Sequence, residues 1–433
     1  MVEQDLRQIM QAGLAAADPG RAARRFLRIE GGRVEAGGES FEAERVFVLS
    51  VGKAAVAMAG AAEELLGDGL AGGLVVTKDG QDQRSLKRLE VLVASHPEPD
   101  ERGIEAARRV EELLDSLGED DLLLALVSGG ASALLADVAP AIGIEDLKKL
   151  TQALLKSGAA IGEINAVRKH VSTLKGGGLV RRAAPARVAG LLLSDVVGDD
   201  PSSIASGLTA PDPTTLEDAK RVIREYGIEP PQSVNEHLEG AEETPKPGDA
   251  IFEGVLNLVV GGGRLSAEAA MEKARELGYE PLLLSTYLIG DARDVALTYA
   301  AVIREALESG NPVPPPCAVV SGGEATVVVR GDGTGGPNQE FALALAAYLE
   351  GLGGWGAFAI DTDGNDGPTD AAGGLVSGET AGGIRAGGVE PGAALAGNDA
   401  YNALKAADAL LVTGPTGTNV NDLRVALIRD EQE

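Results

Sequence analysis

Several stretches of this chain set reactive side chains beside clustered glycines. Ser-Val-Gly-Lys (50–53) places Lys53 just after an apolar run and at the expected start of a helix. A lysine there opposes the helix dipole and costs stability unless an anion lies nearby; the plainer alternative is a solvated lysine. Ser-Gly-Gly-Ala-Ser (128–132) follows another apolar run and opens another expected helix. Gly129 and Gly130 permit close backbone approach, the helix N–H groups favour an anion, and Ser128 and Ser132 add hydroxyl donors; a plain strand-to-helix turn is the alternative. Gly261-Gly262-Gly263-Arg264-Leu265-Ser266 joins strand to helix in the same way, suited to phosphate through the backbone at Gly262 and Gly263 and through Arg264. It approximates a dinucleotide fingerprint, but Ser266 stands where a third Gly or an Ala belongs. No GxxxxGK[ST] loop occurs.

Carboxylates crowd two further loops: Asp195, Asp199 and Asp200 in SDVVGDD, and Asp361, Asp363, Asp366 and Asp370 in DTDGNDGPTD. Acids near phosphate loops suit Mg²⁺, which takes one or two carboxylates plus phosphate oxygens; local Asx-turns are the alternative. The second loop has the DxDxxD spacing of a calcium loop but lacks its closing glutamate, position 372 being Ala. Asn338, Gln339 and Glu340 fall in the first turn of an expected helix and face whatever sits at that end. The histidines are His96, His170 and His237, with no HExxH, no His/Cys cluster and no GxSxG. Zinc and a hydrolase elbow are thereby excluded.

Short apolar runs alternate with amphipathic stretches along most of the chain. RVFVLS (45–50), GGLVVT, VLVA, DLLLALVS and RVAGLLLSD read as strands, with helices over 54–66, 101–117, 144–157, 161–169 and 216–226. After a Pro-rich, acidic stretch at 227–254 the alternation resumes with VLNLVVG, a helix at 266–277, PLLLS, a helix at 291–308, CAVVS, ATVVVR, a helix at 338–349 and WGAFAID. Near-continuous apolar strands between helices predict α/β domains with parallel sheets covered on both faces. The domain boundary is expected in the Pro-rich stretch, giving domains 1–240 and 250–433. In such sheets ligands bind beyond the carboxyl ends of strands. The loops LSVGK, LVSGGAS, LLLSDVVGDD, VVGGGRLS, VVSGGEAT and AIDTDGNDGPTD all fall there, which points to an enzyme.

The chain has 433 residues, enough for two cores, and 59 glycines, nearly twice the ~7% usual share. Aromatics are only 3%, so the cores are aliphatic. A net charge of −28 repels nucleic acid and anionic membranes, and any anion site must be locally positive. Cys317 is the only cysteine, which fits a reducing cytoplasm, and its CAVVS context predicts a packed core thiol. There is no apolar run long enough to span a bilayer and no signal-peptide pattern.

Taken together, SVGKAAVAM, SHPEPDERG, LVSGGASALL, INAVRKHVSTLKGGGL, LLLSDVVGDDPSSIASGLTAPDPTT, GGEATVVVRGDGTGGPNQEFAL and DTDGNDGPTDAAGG, in that order, resemble the glycerate 2-kinase family with a leucine-rich C-terminal (MOFRL) domain. The resemblance implies a Rossmann-like domain with a mostly parallel sheet, a second smaller α/β domain, and an active site in the cleft. It implies ATP-dependent phosphorylation of D-glycerate to 2-phosphoglycerate with Mg²⁺, and Lys53 matches the family's catalytic lysine. On that basis Asp195 is the candidate proton acceptor or Mg²⁺ ligand, with Asp361 and Asp363 as further metal candidates, and Arg168 and Lys175 suit the substrate carboxylate. The family commonly reads GGRNQE where this chain has GGPNQE; Pro337 cannot contact phosphate as that arginine would, so either a neighbouring cation such as Arg264, Arg293 or Arg330 replaces it or nucleotide handling differs. Members also carry the label hydroxypyruvate reductase, so a nicotinamide-dependent reductase is one alternative and a non-enzymatic metabolite-binding protein another. A homo-oligomer is left open.

Overall fold

A computed structural model describes residues 2–30, 33–80 and 85–429. The chain divides into two compact units, Pro19–Val260 (the N-terminal unit) and Met1–Asp18 with Gly261–Glu433 (the C-terminal unit). Helix α1 (Val2–Ala16) opens the chain. The N-terminal unit then begins with α2 (Pro19–Phe26) and an antiparallel three-stranded sheet, β1 (Leu27–Glu30), β2 (Arg33–Ala36) and β3 (Glu39–Phe41), which the sequence reading did not anticipate.

The main sheet of this unit is built from β4 (Arg45–Val51), β5 (Leu70–Lys78), β6 (Glu90–Ala94), β7 (Asp121–Ser128), β8 (Arg187–Leu193) and β9 (Leu256–Gly261). Its order is β6-β5-β4-β7-β8-β9, and the β6/β5, β5/β4, β4/β7 and β7/β8 pairs are parallel. Every residue of β7 is buried, as a central parallel strand requires. The intervening helices are α3 (Ala55–Leu66), α4 (Glu101–Asp115), α5 (Ala131–Leu134), α6 (Ile144–Lys156), α7 (Ile161–His170), α8 (Gly178–Ala183), α9 (Leu216–Glu225) and α10 (Gln232–Gly240). Asp100 caps α4 by accepting the Arg102 N–H, and a Thr215/Asp218 capping box starts α9. Strand order 3-2-1-4-5-6 is that of a Rossmann-like sheet, and it puts the reversal of direction between β4 and β7.

The C-terminal unit continues with α11 (Gly263–Glu276), β10 (Glu280–Asp291), α12 (Ala292–Ser309), β11 (Cys317–Thr326), α13 (Pro337–Tyr348), β12 (Trp355–Asp361), β13 (Gly373–Ser377), α14 (Thr380–Ala386), α15 (Pro391–Ala396), α16 (Ala400–Ala406), β14 (Leu410–Leu411) and β15 (Asp422–Ile428). Its sheet order is β10-β11-β15-β12-β13-β14, and only the β10/β11 pair is parallel. The expectation of a parallel sheet fails here because β15 inserts between β11 and β12 and runs antiparallel to both. CAVVS and ATVVVR are not two strands around a loop: β11 runs through Ser321-Gly322-Gly323 as far as Thr326. Glycine is needed at 323 because a Cβ would sit 2.1 Å from the Leu288 carbonyl oxygen of β10. VVSGGEAT is therefore strand rather than a strand-end loop, and Val329 beyond it is 76% exposed.

The units also differ from the 1–240 and 250–433 partition. The Pro-rich stretch contains α10, whose Val234 and Leu238 pack with α6, α7 and α9, and β9 completes the first sheet. Helix α1 belongs with the C-terminal unit because Leu6, Ile9 and Met10 are buried in one cluster with Ala267, Ala270, Leu423 and Leu427. Cys317 is fully buried, and burial pushes its thiol up to about 11. Among the described residues no helix is long and apolar enough to cross a membrane.

Candidate functional site

The direction reversal between β4 and β7 is where an open α/β sheet leaves a crevice at its carboxyl edge. The two loops that leave those strands are 51–54 and 128–132, and they are laced together. Lys53 N–H donates to Gly129 O (2.9 Å), Ala54 N–H to Ser128 Oγ (3.1 Å), and Gly52 N–H to Val76 O on β5 (3.1 Å). Gly52 has φ +127°, and a Cβ on it would fall 2.2 Å from Ser128 Oγ and 2.4 Å from the Ser128 carbonyl oxygen. Only glycine lets the loops approach this closely. Ser128 is thus a lacing residue with its hydroxyl committed, whereas the sequence reading offered it to a ligand.

Over these loops three side chains converge. A Cβ placed on Gly129 would lie 1.9 Å from Asp195 Oδ2, so the carboxylate rests on the glycine backbone. A Cβ on Gly130 would lie 3.1 Å from His96 Cδ2, 3.2 Å from His96 Nε2 and 3.2 Å from Lys53 Cγ. Burial raises the Asp195 carboxyl above the ordinary carboxylate range, with Lys53 pulling it partly back. Burial lowers the His96 imidazole, and Lys53 and Lys78 push it the same way. Among the described residues the Lys53 ammonium has no hydrogen-bond or ion-pair partner, and neither does the His96 ring. His96 was not singled out from sequence; its place on the loop after β6, in SHPEP, was the available signal.

Beside this cluster lies a cavity of about 270 Å³ whose lining includes His96, Gly130, Ser132, Leu147, Leu150 and Arg168. Arg168 projects from α7, has no partner among the described residues, and has its guanidinium pKa lowered by burial. Lys175 lines the same cavity but is not available in the same way. Its ammonium donates to Leu135 O (3.0 Å) and is paired with buried Asp137. Ser132 Oγ is 3.0 Å from Ser206 Oγ, which bonds Asn165 Oδ1 at 3.2 Å. Asp200 is spent on its own turn, accepting from Ser202 N–H and Ser202 Oγ.

In the C-terminal unit the remaining sequence candidates are mostly engaged in structure. Gly262 leads into α11, and the exposed Arg264 pairs with Glu268 at 2.9 Å. Asn338, Gln339 and Glu340 are buried and do not face an open helix end. The Asp366 carboxylate caps α13 by accepting the Asn338 N–H (3.0 Å) and Gln339 N–H (2.8 Å). Asn338 Nδ2 reaches Asp422 Oδ1 (2.6 Å), Gln339 Nε2 reaches Thr369 Oγ1 (2.8 Å), and Glu340 accepts from Arg293 (2.6 Å) and Asn398 (3.0 Å). Pro337 occupies the first position of α13, which suits its missing N–H. Of the arginines considered as replacements, Arg264 and Arg293 are paired, whereas only the backbone of Arg330 is engaged among the described residues. Asp361 accepts the Asp363 N–H (2.9 Å) and Asp363 accepts the Asn365 N–H (2.8 Å). Burial, with Asp363, Asp422 and Asp366 nearby, pushes Asp361 up to about 8. Among the described residues no group of three or more His, Cys, Asp or Glu is arranged to hold a metal ion.

The family described as "Domain of unknown function (DUF4147)" matches residues 5–239, and the MOFRL family matches 317–422. The D-glycerate 2-kinase of Thermotoga maritima is 43% identical, with 97% of each chain covered. A protein of Agrobacterium vitis that carries the name "Putative hydroxypyruvate reductase" is 44% identical over 98% of this chain and 94% of its own. The crystal structure of a glycerate kinase from Thermotoga maritima superimposes with a TM-score of 0.88 at 43% identity, covering 97% of this chain and 98% of that one. Similarity of sequence and fold along nearly the whole length places the chain in the glycerate 2-kinase family with a MOFRL segment.

Proposed function

We propose that this chain transfers the γ-phosphoryl group of ATP to the 2-hydroxyl of D-glycerate, giving 2-phosphoglycerate and ADP. One observation carries the reading: a lysine at the sheet's switch point that has no partner among the described residues, beside a small cavity lined by Arg168, which likewise has none among them. A cation at the strand ends suits a transferring phosphoryl group, and a half-buried guanidinium suits a small carboxylate. Phosphoryl transfer asks mainly for positioning and charge neutralisation, which is what these residues offer.

In this reading Lys53 neutralises charge on the phosphoryl oxygens and the backbone at Gly129 and Gly130 gives them N–H donors. Arg168 takes the glycerate carboxylate, and Lys175 shapes the cavity through Asp137. Gly262 and Gly263 serve the nucleotide through their backbone. Asp195, half-buried beside Lys53, would be the Mg²⁺ ligand of the N-terminal unit, and Asp361 with Asp363, crowded by other acids, would be the carboxylates of the C-terminal unit whose charge a cation relieves. Mg²⁺, when bound, shields phosphate charge. The single cysteine, a buried free thiol, supports a cytoplasmic enzyme.

A phosphorus NMR time course with ATP, Mg²⁺ and D-glycerate tests the reading. Growth of the 2-phosphoglycerate resonance supports it, and a 3-phosphoglycerate signal refutes its regiochemistry. No phosphorylated product, together with NADH consumption on hydroxypyruvate, would replace it with the reductase activity in the Agrobacterium relative's name.

A further inference from the structure

We infer that His96 is the catalytic base of this site, the group that takes the proton from the acceptor hydroxyl as it attacks phosphorus. The inference rests on the kinase reading above and adds to it the route of the proton.

Three placements support it. His96 lies on the loop after β6, and its ring flanks Gly130 on the side where a Cβ would be, with Nε2 3.2 Å from that point and Lys53 Cγ at the same 3.2 Å. The imidazole is therefore a neighbour of the phosphoryl-neutralising lysine. It also lines the cavity that holds Arg168, so one small molecule anchored by its carboxylate in that cavity has His96 on its wall. Lastly, its ring nitrogens have no partner among the described residues, unlike those of His170 and His237, which bond Ala166 O and His170 O. Asp195, the rival base, does not line the cavity; its carboxylate rests on Gly129 beside Lys53.

The surroundings favour the neutral imidazole that a base requires. Burial lowers its pKa first, and Lys53 from the β4 loop and Lys78 from the end of β5 add to the effect. The same cavity is also lined by Arg168 and by the mutually paired Lys175 and Asp137. In the transfer step the 2-hydroxyl oxygen forms a bond to the γ-phosphorus, and the bond from phosphorus to the β,γ-bridging oxygen breaks. Its electron pair leaves with ADP. The hydroxyl proton passes to an imidazole nitrogen and then to water.

The test is steady-state kinetics of His96→Asn and His96→Gln, with circular dichroism and a D-glycerate-induced thermal shift as checks on fold and binding. The expected result is a kcat lower by about 10²–10⁴-fold with the KM for D-glycerate changed only a few-fold. In the unsubstituted enzyme kcat/KM falls on acidification with an inflection below the ordinary histidine value of about 6.5, and that limb disappears in both variants. Either variant with kcat within about threefold of the parent, or an unchanged acid limb, overturns the assignment, because a general base contributes at least about 10². Loss of glycerate binding in both folded variants also overturns it, since it makes His96 a binding group. If the parent enzyme forms no 2-phosphoglycerate, the kinase reading fails instead, and this outcome is distinct from an active His96 variant.

Discussion

Gly129→Ala is a sharp test of the site because it removes no functional group. The Gly129 backbone is not in the left-handed region, so alanine meets no conformational barrier there. Its Cβ would lie 1.9 Å from Asp195 Oδ2 and 2.5 Å from Asp195 Cγ, whereas real Cβ contacts stay above 3.0 Å. The carboxylate must therefore move by at least 1.1 Å, the difference between those limits. Misplacing a positioning group by about 1 Å costs about 10²-fold in rate, or about 2.7 kcal/mol of transition-state stabilisation. The overpacking itself costs about 1–3 kcal/mol of stability, at the low end because the obstacle is a side chain that can rotate. The assay is kcat from coupled ADP release, compared with Asp195→Asn and with the double variant. If the alanine acts through Asp195, the double variant loses no more than Asp195→Asn alone. Gly162→Ala on α7, where a Cβ meets nothing within 4 Å, is the control and keeps parental activity. A Gly129→Ala enzyme with kcat within about threefold of the parent, or losses that simply add, would refute the reasoning.

Lys53→Met is expected to lower turnover by about 10²–10³, since a cation at the switch point acts on charge that develops in the transition state; the readout is single-turnover transfer. Arg168→Gln removes a charge-assisted carboxylate contact worth about 1.5–3 kcal/mol and should raise the KM for D-glycerate about 10–100-fold, leaving the KM for ATP little changed in initial-rate kinetics. The raised Asp361 carboxyl holds a proton in the fold that the unfolded chain gives up near 3.8, and it loses that proton only at about 8. Its contribution to stability is thus lost as pH rises from about 4 through about 8. Calorimetric melting without Mg²⁺ should fall across that window, and Asp361→Asn should flatten the slope.

Most of the N-terminal unit was legible because its strands sit in a parallel sheet, where near-continuous apolar runs such as LLLALV leave little ambiguity. The carboxyl-end loops after β4 and β7 were legible for the same reason, since glycine, serine and lysine there interrupt apolar strands. Which strands lie side by side was not. That β4 and β7 are neighbours depends on crossovers that composition does not record, and with it went the convergence of Lys53, His96 and Asp195. The C-terminal unit was read less well because its sheet is mixed. Antiparallel β15 and the short β13 and β14 carry no helix-strand alternation to mark them. Asn338, Gln339 and Glu340 looked like ligand contacts because polar residues rarely sit inside a helix-packed core. Their N–H groups and the Glu340 carboxylate are paired with Asp366, Asp422, Thr369, Arg293 and Asn398, partners scattered over residues 293–422, while Asn338 Oδ1 and Gln339 Oε1 have no partner among the described residues.

Because α1 packs against α11 and β15 while Pro19–Val260 forms a unit of its own, residues 2–16 fold with partners that lie more than 240 positions downstream. On the ribosome, the N-terminal unit has all its strands once residue 261 is made, whereas Leu6, Ile9 and Met10 must wait for β15 at 422–428. That interval leaves an amphipathic helix with an uncovered apolar stripe tethered to an already folded body, the kind of nascent surface that chaperones bind. It also sets where the chain tolerates being cut. A fragment starting at Pro19 and ending near Val260 keeps its core whole, while a fragment starting at Gly261 exposes the seat of α1 and needs residues 2–16 joined back to it.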